Sequence, residues 1–323
     1  MNATAQLRAQ GLAVETVGDI LNPDAYFRSR VVGAGEVAAL FDASPWLTHF
    51  ELWHRKTGAI DTPTFNAIDG NNVPENERAY WGVKLEAMII EAACERWGYV
   101  PIDTPHILEN GNGLGGHPDK IVTDAGEKVI LEIKMVDWLQ FKKWGDEPPL
   151  NYLLQNMTYQ GLAGCVRGDM IVLVGGNNLR RFQYDFRPKL YAEIEARVVA
   201  FWQSVRANDA PKPDFTRDGD TLAALTGEIA EEVIDLRHDN EASELADKYL
   251  AARAAAKAFD VEADALKNEL LLKIGSAGFA MLPIHKISAG MTKGTPGTLI
   301  TDTHIGTTIG ARKGYRRFDV KEF

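Results

Sequence analysis

The chain has 323 residues, 45% of them hydrophobic, enough for one large domain or a domain with an appendage. No apolar run approaches the ~18 residues of a membrane span, and the first residues lack a basic-then-apolar signal pattern, so a soluble cytoplasmic protein is expected. Two cysteines, Cys94 and Cys165, supply neither a disulfide framework nor metal-ligand spacing, and the net charge of −10 leaves any nucleic-acid contact to local basic groups lining one groove.

Residues 1–30 are polar and read as an irregular arm and a strand. Residues 33–58 read as two short helices, the second starting at Ser44-Pro45. Residues 59–76, with Pro63, Gly70, Asn71-Asn72 and Pro74, read as loop. Over residues 77–97, Leu85, Met88, Ile89, Ala92 and Ala93 recur at helical spacing, and Gly98 ends the helix. Glu86 falls at the edge of that apolar stripe, where a carboxylate needs a metal or a basic partner. Strands are expected near 99–109, 114–122 and 128–135. Pro148-Pro149 opens a helix over about 150–164, which sets Gln155 and Tyr159 on one face, either as a plain surface pair or as a holder of an anionic ligand. Ile171–Gly175 reads as a buried strand, Arg181–Phe186 as its alternating partner, and Pro188 opens a long helix to about Ala207.

Asn208–Asp214, with two prolines, reads as a linker. Residues 218–240 are acidic and partly helical. Residues 241–275 form an alanine-rich helix in which Leu245, Tyr249, Ala252, Ala256, Phe259, Ala263, Leu266, Leu270 and Ile274 keep a three-four spacing, the seam of a coiled or bundled pair; Gly275 suits its C-cap. Residues 278–323 read as glycine- and threonine-rich strands. From residue 281 onward seven Lys/Arg stand against three Asp/Glu, a basic island in an acidic chain. It either grips a phosphate backbone or guards a strand edge.

The chemistry concentrates in Pro118-Asp119 and Leu131-Glu132-Ile133-Lys134, separated by a turn at Asp124-Ala125-Gly126. Residues two apart on a strand share a face, so Glu132 and Lys134 project together, and a hairpin brings Asp119 beside Glu132. Two carboxylates at one point make a hard-cation site for Mg²⁺ or Mn²⁺, and a lysine beside them orients or deprotonates a water or neutralises a developing phosphate charge. An E-x-K on a solvated strand face is the plain alternative. Gly111–Gly116 precedes a strand rather than a helix, so it is not a dinucleotide loop.

Val32–Trp46, Trp81–Glu86, His117-Pro118-Asp119, Glu132-Ile133-Lys134 and Gln155-x-x-x-Tyr159 together, in this order, resemble the PD-(D/E)xK nucleases, specifically the YqaJ-like, lambda-exonuclease-type viral recombination nucleases, over roughly residues 30–205. The resemblance implies an α/β (α+β), restriction-endonuclease-like mixed sheet flanked by helices, followed by a long helix and a small β appendage. It implies one or two Mg²⁺ or Mn²⁺ ions held by Glu86, Asp119, Glu132 and the Ile133 carbonyl. Lys134 is then the catalytic lysine, with Gln155 and Tyr159 positioning it and the DNA backbone. Two departures stand out: Lys120 follows the motif aspartate where glycine is frequent, and Gly33-Ala34-Gly35-Glu36 replaces a frequent Gly-Gly-Ser-Asp. With two cysteines, the four-cysteine iron–sulfur cluster of some superfamily members is not expected.

On this reading residues 1–207 are a nuclease domain and 208–323 an appendage for DNA binding or oligomerisation. Candidate DNA contacts are Lys120, Lys128, Lys142, Lys143, Arg180 and Arg181, with Arg312, Lys313, Arg316 and Arg317 in the basic island. Trp138, Phe141 and Trp144 read as a loop that either touches bases or packs on the core. The implied function is a Mg²⁺-dependent exonuclease resecting double-stranded DNA ends, assembled as a ring-like homo-oligomer and leaving a single-stranded tail for an annealing protein. An endonuclease with the same core and a catalytically idle DNA-binding module remain the alternatives.

Overall fold

The computed structural model describes residues 23–62, 77–227 and 233–290. In chain order the elements are α1 (Pro23–Arg30), β1 (Val32–Gly33), a 3₁₀ helix (Val37–Phe41), α2 (His49–Lys56), α3 (Glu77–Trp97), β2 (Val100–Pro101), β3 (Leu108–Glu109), β4 (Leu114–Gly116), β5 (Lys120–Asp124) and β6 (Glu127–Val136). Then come α4 (Trp138–Lys143), α5 (Leu150–Ala163), β7 (Arg167–Val174), β8 (Asn178–Asp185), α6 (Pro188–Ala207), α7 (Gly219–Thr226), α8 (Asn240–Ile274), β9 (Phe279–Met281) and β10 (Lys286–Ser288). The chain divides into two units between residues 229 and 230; the second holds α8 and the antiparallel β9–β10 hairpin.

The first unit is a mixed α/β fold. Its main sheet has the order β2-β5-β6-β7-β8, parallel between β6 and β7 and antiparallel elsewhere. Ala125 and Gly126, both at positive φ (50° and 87°), make the two-residue turn that the β5–β6 hairpin requires. The central strand β6 buries Val129 to Ile133 without a break, because helices cover both faces. On one face Val129, Leu131 and Ile133 pack with Ile89 and Ala93 of α3. On the other, Ile130 packs with Ile121 and with Tyr159 of α5. Helix α6 closes a second core with Ile194, Val198, Phe201 and Val205 against the 3₁₀ helix, α2 and α5. Where α5 crosses β7, Gly168 is required by contact: a Cβ there would lie 1.9 Å from Asn156 Oδ1.

Several elements differ from the sequence reading. Residues 23–30 are helical, not irregular: Asp24 and Arg28 pair at 2.8 Å one turn apart, and burial of Phe27 alone leaves no apolar period to read. The helix expected from Ser44-Pro45 starts at His49. Ser44 Oγ accepts the Trp46 and Leu47 N–H groups in a turn, and Thr48 caps the helix by accepting the Glu51 N–H at 3.0 Å. The strand expected over 114–122 is two strands in different sheets, broken at His117–Asp119. Residues 138–143 are a helix, not a loop, because Asp137 accepts the Leu139 and Gln140 N–H groups as N-cap.

Candidate active site

The break at His117–Asp119 places the first carboxylate. Lys120 pairs with Leu131, so Asp119, one residue earlier, meets the β6 strand at Glu132. Asp119 Oδ2 accepts the Ile133 N–H at 2.7 Å, which fixes the carboxylate against the strand backbone. Glu132 is 1% exposed, the one acidic residue in the buried run of β6. The Lys134 ammonium donates to Glu132 Oε1, and lies 5.3 Å from the Tyr152 ring centroid on α5. Glu132 Oε2 is buried with no hydrogen-bond partner.

Three carboxylates share this region. Burial, then the Asp119 charge, pushes Glu86 up to about 7 against the pull of Lys134. Burial likewise pushes Glu132 up to about 7, with Lys134 opposing and Asp119 adding. Burial raises Asp119 too, against Lys134 and the Ile133 N–H. Burial pulls Lys134 down, but Glu132 and Asp119 outweigh it and the net shift is upward. The lysine is thus held as an ammonium, while the carboxylates bear the cost of crowding and desolvation. Among the described residues no three His, Cys, Asp or Glu side chains already converge as a cation cage. The donor set nonetheless fits a hard divalent cation: the groups are carboxylates with mutually raised pKa values, and one buried oxygen has no partner.

Helix α5 carries the next group. Gln155 and Tyr159 sit one turn apart, and the Gln155 side chain and the His117 backbone lie close enough to the Tyr159 hydroxyl to pull its pKa down. Burial leads the upward shift of the Tyr159 phenol, with Glu132 and Asp119 contributing. Gly116 lets the tyrosine approach, since a Cβ there would lie 2.9 Å from Tyr159 Cε1. The pair therefore bears on the segment leading to Asp119, while Tyr152, unassigned from sequence, sits over Lys134. Tyr152 lies seven residues before Tyr159, and that two-turn spacing was the available signal. A polar cleft of about 210 Å³ adjoins this group, lined by Arg28, Gly33, Glu36, His117, Gln155 and Tyr159. Glu36 in it accepts the Gly33 N–H at 2.7 Å and pairs with the buried Lys56 at 2.6 Å.

Among the described residues, the candidate DNA contacts are not brought together. Sheet register sets Arg180 on the face of Lys134, through Val172 between them. Arg181 is on the other face, donating to the Tyr99 hydroxyl at 3.2 Å and lying 5.1 Å over the Trp97 ring. Lys120 lines an open groove with Glu91, Cys94 and Glu95. Lys128 donates to the Ala163 carbonyl at 3.1 Å. Lys142 and Lys143 are exposed in the last turn of α4, and Lys142 lies 5.6 Å over Trp138. Phe141 and Trp144 pack with Phe182 and Tyr152, whereas Trp138 is half exposed. Arg312, Lys313, Arg316 and Arg317 lie outside the described residues. Sequence reasoning also missed a buried hub at Asp169 on β7, which accepts from Arg167 (2.7 Å) and Gln183 (3.1 Å) and from the Tyr99 hydroxyl; its partners are scattered through the chain.

Residues 25–166 match the model of the YqaJ-like viral recombinase domain. The uncharacterized protein YqaJ of Bacillus subtilis is 26% identical over 265 residues, covering 79% of this chain and 78% of that protein. Among solved structures, an alkaline exonuclease from Laribacter hongkongensis is 18% identical, with a TM-score of 0.45 over 62% of this chain and 99% of that one. A phage-related exonuclease from Haemophilus somnus 129PT is 14% identical, with a TM-score of 0.37 over 63% of this chain and 92% of that one.

Proposed function

We propose that this YqaJ-like viral recombinase domain is a Mg²⁺-dependent deoxyribonuclease that resects double-stranded DNA ends. The observation that carries the reading is Glu132: a buried carboxylate paired through one oxygen to Lys134, with the other oxygen partnerless and two further carboxylates, Asp119 and Glu86, acting on it. Such crowding is costly unless a cation relieves it. Glu86, Asp119 and Glu132, with the Ile133 carbonyl, would hold one or two Mg²⁺ or Mn²⁺ ions. A bound ion would supply Lewis-acid polarisation of the scissile phosphate and a water of lowered pKa. Lys134 orients and activates the attacking water, and its positive charge faces the charge that grows on the phosphate. Asp119, tied to the Ile133 N–H, and Tyr159, close to the His117 backbone, keep the two strands in register around the reacting phosphate.

Residues 1–207 are taken as the nuclease domain and 208–323 as the appendage for DNA binding or oligomerisation. Arg180, Lys142, Lys143 and the C-terminal basic residues track the DNA backbone. The protein works in the cytoplasm as a homo-oligomer, and its single-stranded product suits a partner annealing protein. No described helix is long and apolar enough to cross a membrane. Digestion of linear against covalently closed double-stranded DNA in Mg²⁺ tests the reading. Degradation of linear DNA alone supports the exonuclease; cutting of closed circles moves the assignment to an endonuclease. A folded protein that binds DNA and cuts neither is an idle module.

A further inference from the structure

Helix α8 is 35 residues, about 52 Å long at the usual rise, and none of its residues is buried. Leu245 (58% exposed), Phe259 (69%), Leu266 (56%) and Leu270 (40%) lie on one stripe with Tyr249, Ala252, Ala256 and Ala263. These eight residues alternate in steps of four and three, an unbroken heptad core from Leu245 to Leu270. Val261, Leu271 and Leu272 are exposed outside the stripe. Leu245, Phe259, Leu266 and Leu270 alone leave an exposed apolar line along a charged helix, which marks a surface for another helix.

We propose that α8 pairs with the α8 of a second copy of this chain, antiparallel, in the register that sets Leu245 against the partner's Leu270. That one register also sets Tyr249 against the partner's Leu266, Ala252 against Ala263 and Ala256 against Phe259, each twice by the twofold axis. Large side chains then meet large ones at the ends, small meets small in between, and each Phe259 near the axis faces an alanine, so the layers fit without a clash. The axis falls between residues 257 and 258, the middle of the helix, so the two helices overlap along their whole length.

Charge decides the orientation. Residues flanking the core meet g-to-g and e-to-e when helices run antiparallel, and g-to-e when they run parallel. Antiparallel pairing brings Lys248 to the partner's Glu269 and Arg253 to the partner's Asp260, all attractive. Parallel pairing would bring Lys248 to the partner's Arg253, a repulsion, and Glu262 to the partner's Lys267, an attraction, so its charges cancel where the antiparallel pairs are all attractive. Lys248 also bonds Glu244 at 2.5 Å within its own helix, so these rim pairs select the direction and the apolar seam supplies the affinity. The pairing gives a surface to the homo-oligomer proposed above and depends on no feature of the nuclease site.

The test is sedimentation of the full chain together with disulfide trapping, both read without nuclease activity. In a Cys94→Ser background, Ala252→Cys and Ala263→Cys proteins are prepared separately and mixed under mild oxidation. A disulfide between the two on mixing, and none from Ala252→Cys alone, supports the proposal. In the antiparallel register two copies of residue 252 lie about 16 Å apart, beyond the reach of a disulfide. Phe259→Glu with Leu266→Glu, both at exposed positions, should weaken self-association at least tenfold with unchanged helix content by circular dichroism. A monomer at tens of micromolar, a disulfide from Ala252→Cys alone, or no disulfide on mixing overturns the pairing. An oligomer that persists without the mixed disulfide removes only the α8 pairing and leaves the oligomer reading standing.

Discussion

Removing the two members of the Lys134–Glu132 pair one at a time separates what holds the fold from what drives the chemistry. Glu132 is fully buried, and burial lifts its pKa from 4.5 to about 7 even with Lys134 beside it. A folded pKa above the unfolded one means that stability is fully present below pH 4.5 and is lost as pH rises through 7. The rise costs the metal-free protein on the order of 3 kcal/mol above pH 7, at about 1.4 kcal/mol per unit. Glu132→Gln removes that cost and keeps an acceptor, and the Lys134 ammonium, one-fifth exposed, keeps the Asp119 charge and the Tyr152 ring, so the metal-free variant should lose less stability at pH 8 than Lys134→Met. Lys134→Met does the opposite. It strands a buried carboxylate, worth about 3–5 kcal/mol, unless the glutamate takes up a proton. Protonation becomes easier as pH falls, so the deficit should be a few kcal/mol at pH 8 and shrink towards pH 6. The double variant should recover much of the loss, the sign of direct coupling. Both single variants should lose at least about 100-fold in activity, the scale of removing one charge-stabilising group. Urea unfolding in EDTA at pH 6 and pH 8, beside DNA hydrolysis in Mg²⁺, measures all of this. A Lys134→Met protein as stable as wild type at pH 8, or a Glu132→Gln protein less stable than Lys134→Met, would refute the reasoning.

Three further outcomes follow from particular contacts. Mg²⁺ at 100 times its dissociation constant should stabilise the wild type by about 2.7 kcal/mol in thermal melts, and should do nothing measurable for Asp119→Ala; equal shifts in both would place the ion elsewhere. Gly168→Ala drives a Cβ to 1.9 Å from Asn156 Oδ1 and should cost about 1–3 kcal/mol or more by denaturant titration, with unchanged stability contradicting the α5–β7 approach. Asp169→Ala removes the acceptor shared by Arg167, Tyr99 and Gln183 and should cost about 3–5 kcal/mol in unfolding while leaving hydrolysis per folded molecule intact; loss of hydrolysis in a stable protein would make Asp169 part of the site.

The geometry of the candidate site was legible where it rests on short-range spacing. The two-residue period of β6 aligns Glu132 with Lys134, a hairpin with an Ala125-Gly126 turn brings Asp119 across, and one helical turn joins Gln155 to Tyr159. The helix at 77–97, the helix from Pro188 and the Gly275 C-cap were also local, set by apolar period and by glycine. What escaped depends on distant partners. The break at His117–Asp119 falls where the chain passes from β4, paired with β1, to β5, paired with β6, so it depends on strands outside the segment itself. Asp169 reads as an ordinary charge at the start of a strand until Tyr99 arrives from 70 residues away. Helix α4 is six residues long, too short for a period to show, and its only local signal is the Asp137 cap. The sequence also offered no spacing rule that sorts Arg180, on the face of Lys134, from Arg181, stacked on Trp97 behind it.

The most direct measurement is release of nucleotides from linear double-stranded DNA by wild type, Asp119→Ala and Lys134→Ala, in Mg²⁺ and in EDTA, with circular dichroism confirming each fold. The account predicts hydrolysis by the wild type in Mg²⁺ alone and none by either variant. Hydrolysis in EDTA, or full activity in a folded Asp119→Ala protein, would contradict it.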